Sequence, residues 1–128
     1  MRAIPFLALA LVTLAAAAAE RWASFAAYPG ARQLCDEHVA GTTMHISWRS
    51  YATADPVATV VAFYEKDQGK KAERGEHGDF TLHAPARDDD AITVFPAAEA
   101  AAFPGCAEKA RKTEKTIILV SSRAGPSR

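Results

Sequence analysis

The chain contains little that names a chemistry. Of its 128 residues only 2 are cysteine, and its charges cancel, with 15 Lys plus Arg against 15 Asp plus Glu. The two cysteines lack C-x-x-C spacing, which argues against a zinc ribbon or a thioredoxin-like redox pair. A neutral balance argues against a nucleic-acid-binding face, which normally shows a basic excess. Apart from Lys70-Lys71 and Asp88-Asp89-Asp90 the charges are interspersed, so no electrostatic stripe is written into the chain. There is no G-x-S-x-G turn for a serine nucleophile and no phosphate-cradling glycine loop. The longest apolar run, residues 4–14, is well short of the roughly twenty residues needed to cross a bilayer.

That short run has a meaning of its own. Arg2 provides a positive start, residues 4–14 an apolar centre, and residues 15–19 a tract of alanines. Together they have the form of a cleaved export signal, with Ala17-x-Ala19 placing the cut before Glu20. The expected mature protein is a single domain over residues 20–122 with a flexible tail over 123–128, delivered to the periplasm or outside the cell. Loss of Arg2 takes one basic residue from the balance of 15 against 15, leaving a net charge of about −1.

In an oxidising compartment the economical fate of Cys35 and Cys106 is one disulfide. Closing a loop of that length stabilises by about 4 kcal/mol in the chain-entropy model.

Residues 44–51 alternate: Met44, Ile46 and Trp48 share one face, and His45, Ser47, Arg49 and Tyr51 the other. This predicts a strand whose apolar face packs under a helix. Asp55-Pro56 opens that helix, with Asp55 as the capping side chain and Pro56 at the first helical position. Val57, Val60, Val61 and Tyr64 form its apolar stripe, and Gly69 ends it. Residues 34–39 fit either a helical turn or a hairpin arm. Residues 80–84 and 92–95 read as a hairpin around an acidic turn at 87–90, and 97–102 as a short helix. Residues 116–121 contain Ile117-Ile118-Leu119-Val120 without alternation, which marks a central strand buried on both faces. The expected fold is therefore a small α+β domain: a mostly antiparallel sheet of four to five strands, one main helix and one disulfide.

Function is legible only as candidates. If strand 44–51 lies beside strand 80–84, then His45, Arg49, Tyr51 and His83 share a polar face. Arg49 would grip a carboxylate or phosphate and Tyr51 would supply a stacking surface. The chain then reads as a non-enzymatic exported domain that binds a small ligand or an envelope partner protein. It has no cofactor, no nucleic acid and no membrane span. One alternative is a small enzyme using His45 or His83 as general base, a role suited to a pKa of about 6.5. Another is a structural envelope protein. His38, His45, His77 and His83, with Asp79 and the acidic run at 88–90, offer metal donors, but at no recognised ligand spacing, and no metal site is assigned.

Overall fold

The computed structural model describes residues 20–85 and 87–124, apart from the side chains of Asp88 and Ala124; the expected leader and residues 125–128 lie outside them. Strands β1 (Arg21–Trp22) and β2 (Phe25–Ala26) form a small hairpin. They are followed by β3 (Arg32–Ala40), β4 (His45–Thr53), the helix α1 (Val57–Gln68), β5 (Glu73–Arg74), β6 (Phe80–Ala84) and β7 (Arg87–Pro96). A 3-10 helix (Ala97–Ala102) then leads to β8 (Thr116–Ala124). The main sheet has six strands in the order β3-β4-β8-β7-β6-β5, every neighbour antiparallel. The α+β class, the main helix and the Cys35–Cys106 disulfide are as expected; the sheet is larger, because residues 32–40 and 73–74 both join it.

The last strand lies at the centre, between β4 and β7. Its unpatterned apolar run follows from that position. Ile118 and Val120 pack toward α1, and Ile117 and Leu119 pack toward the opposite face. On the helix face the core is aromatic. Tyr64 and Phe25 are fully buried, and the Tyr64 hydroxyl donates to the Ala26 carbonyl at 2.8 Å. Burying side chains of this size contributes about 1.5–3 kcal/mol each.

Three local expectations are corrected. Asp55 does not cap α1, since Pro56 holds the N-cap position without a side-chain cap. Its carboxylate instead accepts the Tyr28 hydroxyl at 2.5 Å, fastening the entry segment to the helix start. Residues 87–90 are not a turn but the first residues of β7, with Asp90 buried. Trp48 is not the anchor beneath the helix. It faces away from α1 and packs with Leu34, Phe95 and Leu119. Met44, Ile46 and Trp48 share the face opposite α1, so their alternation marks a face without saying which cover lies over it. Val39, Met44 and Ile46 remain exposed there. Gly69 does end α1 in the left-handed conformation, φ 66°, with its N–H on the Glu65 carbonyl.

Candidate functional site

The four residues expected to share a polar face do not all meet: His83 is apart from the other three. His45, Arg49 and Tyr51 point to the helix side of β4. His83 points to the other side of β6, opposite Ala91, and β8 and β7 separate the two strands. Tyr51 is buried under Trp22, whose ring stacks on it at 3.6 Å, so it offers no stacking surface to a ligand. Burial pushes its phenol above the ordinary value, with Arg49 opposing. Arg49 lies 3.6 Å from Asp36 on the neighbouring strand. His45 stacks with His38 at 5.7 Å near the hairpin end. The histidine-base alternative, with His45 or His83 as the base, would draw its main support from the two lying within reach of each other, and they are on opposite faces. Among the described residues no group of three or more His, Cys, Asp or Glu could hold a metal ion.

A cleft lies on the face away from α1. Leu34, Ser50, Phe95 and Ile117, one from each of β3, β4, β7 and β8, make its floor. Alanines of the 3-10 helix and the strap over residues 103–115 make its walls, enclosing about 550 Å³. Small side chains leave this space. The 3-10 helix reads AAEAAA and buries none of its residues; Ala97 and Ala100 pack on the floor without filling the volume beside it. Phe103 closes one end by stacking on Phe95 at 4.0 Å. A cavity of this size falls within the range of about 300–1,000 Å³ typical of small-ligand sites.

A β-bulge makes the cleft possible. The β3–β4 register shifts between Gln33 and Cys35. The extra residue lets Leu34 and Cys35 turn to the same face instead of alternating. Leu34 then joins the floor, and Cys35 reaches Cys106 in the strap, with Cα atoms 5.7 Å apart. Arg32 supplies the second fastening. It donates to Glu114 at 2.7 and 3.1 Å, to Glu108 at 2.5 Å and to the Lys109 carbonyl at 3.3 Å. These bonds hold the Glu114 carboxyl below its usual range and raise the Arg32 guanidinium. At the strap's end the Lys115 N–H bonds to the Thr53 carbonyl at 2.9 Å, and the Lys115 carbonyl accepts from Ala97 at the same distance.

Neither a histidine nor a free thiol lines this cleft. Its one polar floor group is the Ser50 hydroxyl, and its rim carries lysines, arginine and ion-paired glutamates. Such a set can bind and orient a ligand. Sequence reasoning passed over every one of these residues as a site. Two signals for the cleft were present: a helix of alanines too small to cover a sheet, and lysine and arginine gathered over residues 109–115 of a neutral chain. No helix among the described residues is long and apolar enough to cross a membrane. Comparison with protein-family models, with curated proteins and with solved structures finds no match for this chain.

Proposed function

We propose that this protein is an exported, disulfide-stapled binding domain that takes a small, largely apolar ligand in the strap-covered cleft and performs no chemistry on it. The cavity of about 550 Å³ over an apolar floor carries this reading. The disulfide supports the oxidising compartment, because such bonds persist outside the reducing cytosol. With the leader-like residues 1–19, it supports the periplasm or the exterior as the place of action.

A neutral apolar dye, Nile red, tests the cleft directly. Its fluorescence should rise on adding the disulfide-bonded protein. Ala100→Trp fills the cleft from the wall and Ser50→Leu from the floor, and each should weaken the dye by about tenfold or more. A dye that does not bind, or that binds both folded variants unchanged, would remove the cleft from consideration. The second reading is docking of an envelope protein on the hairpin end, where Val39 is 52% and Met44 and Ile46 are each 37% exposed. Under it, cleft variants would be silent, and substitution of Val39 and Ile46 would abolish capture of the partner.

A further inference from the structure

We propose that the cleft's ligand carries an anionic head, and that Lys109, Lys112 and Lys115 receive it at the mouth while the apolar body lies over Phe95 and Ile117. This rests on the cleft being a binding site and goes further by naming the ligand's chemistry. The rim holds four cations, Lys109, Arg111, Lys112 and Lys115, and two acids, Glu108 and Glu114. Both acids are already answered. The guanidinium of Arg32 serves them together, and Glu114 also accepts the Arg111 backbone N–H at 2.7 Å. None of the four rim cations forms a side-chain ion pair among the described residues. The chain as a whole is neutral, so this local excess is placed there and not inherited from composition.

The geometry joins two chemistries in one site. Apolar surface lies inside, and positive charge lies only along the strap edge. A lysine can rest its methylene stem on an apolar rim and keep its ammonium in water. Each such exposed contact with an anion is weak, but several beside a low-dielectric wall act together. A neutral apolar molecule would use the floor and ignore the rim. A cationic amphiphile would be repelled by it. An amphiphilic carboxylate or phosphate uses both.

The test compares four probes with the same alkyl chain: dodecanoate, dodecyl phosphate, dodecanol and dodecyltrimethylammonium. Each competes with Nile red on the disulfide-bonded protein. The two anions should displace the dye with an affinity about tenfold above that of dodecanol, and the cation should be weaker than dodecanol. Replacing Lys109, Lys112 and Lys115 together with Gln should bring anion and alcohol within about twofold of each other, each affinity taken relative to that variant's own Nile red affinity. Equal affinity for dodecanoate and dodecanol on the unaltered protein would overturn the anionic head and leave the cleft intact. Anion binding that survives both the triple variant and Ala100→Trp would place the anion elsewhere and overturn it too. Failure of Nile red itself to bind would instead defeat the cleft reading beneath it.

Discussion

Asp90 shows how a charge can be kept inside a small domain. The residue is only 3% exposed, and each carboxylate oxygen has a partner of its own: the Ser24 hydroxyl at 2.5 Å on one and the Ser122 hydroxyl on the other. Burial pushes the carboxyl up, but the hydroxyls of Ser122 and Ser24 and the charge of Arg87 together bring it below its ordinary value. A carboxyl depressed in the folded state adds stability above its unfolded pKa of about 3.9 and loses it as pH falls through the lower folded value. Asp90→Asn keeps the shape and removes the charge. It should cost about 1–3 kcal/mol at neutral pH, where hydrogen bonds to the charged group are fully formed. Thermal melts of both proteins should differ most at pH 7, begin to converge only near about pH 4, and meet once the pH is below the depressed folded value. A difference that stays constant through that range would mean the hydroxyls bond the neutral acid equally well. The contact also does structural work, since it ties the turn between β1 and β2 to the central sheet.

The strap is the element on which the cleft depends, and it has almost no regular structure of its own. Three fastenings hold it: the disulfide, Arg32 with its two glutamates, and the backbone bonds of Lys115. With a separation of 71 residues, the disulfide should contribute about 4 kcal/mol through the unfolded chain. Replacing both Cys35 and Cys106 with Ala should lower the unfolding free energy by about that amount in urea titrations. Before global unfolding, trypsin should cut the variant first at Lys109, Arg111 or Lys112, and cutting at Lys66 in α1 should stay slow. Equal rates at the strap and helix would show that Arg32 and Lys115 hold the strap unaided. This element also marks where the sequence stops being informative. The strand 80–84, the stripe of α1 and the double-sided burial of β8 were legible because periodicity reports burial directly. The helix side of β4 was not, since it carries the polar His45, Ser47 and Arg49 while Met44, Ile46 and Trp48 face the other way. The bulge at Leu34 was not either, because an extra residue reverses a strand's faces without changing its composition. Asp90 read as part of a turn because acidic runs favour turns, and the hydroxyls that keep it buried come from Ser24 and Ser122, far away in sequence.

At the scale of the whole molecule the order of assembly is dictated by β8. The β3–β4 and β6–β7 hairpins can each form from local sequence, but β8 pairs with β4 and β7 and lies between them. The sheet therefore cannot close until the last described strand arrives, and both faces of the core share that strand. Such non-local pairing puts folding in the slow range of roughly milliseconds to seconds. The disulfide then changes the search. It links Cys35 in β3 to Cys106, shortly before β8 begins, so the oxidised unfolded chain already holds β8 near the strand it must join. If docking of β8 limits folding, its loop-closure cost is removed before the barrier. Oxidised protein should then refold at least about tenfold faster than the double Ala variant, with unfolding rates much closer together. Tryptophan fluorescence after dilution from denaturant can follow both faces at once, because Trp22 packs on the helix side and Trp48 on the strap side. Variants keeping one tryptophan each should report the same rate if β8 closes the two faces in a single step. Equal refolding rates with and without the disulfide, and a faster unfolding rate without it, would place β8 docking after the barrier. The bond would then act by holding the finished strap in place, not by guiding the last strand home.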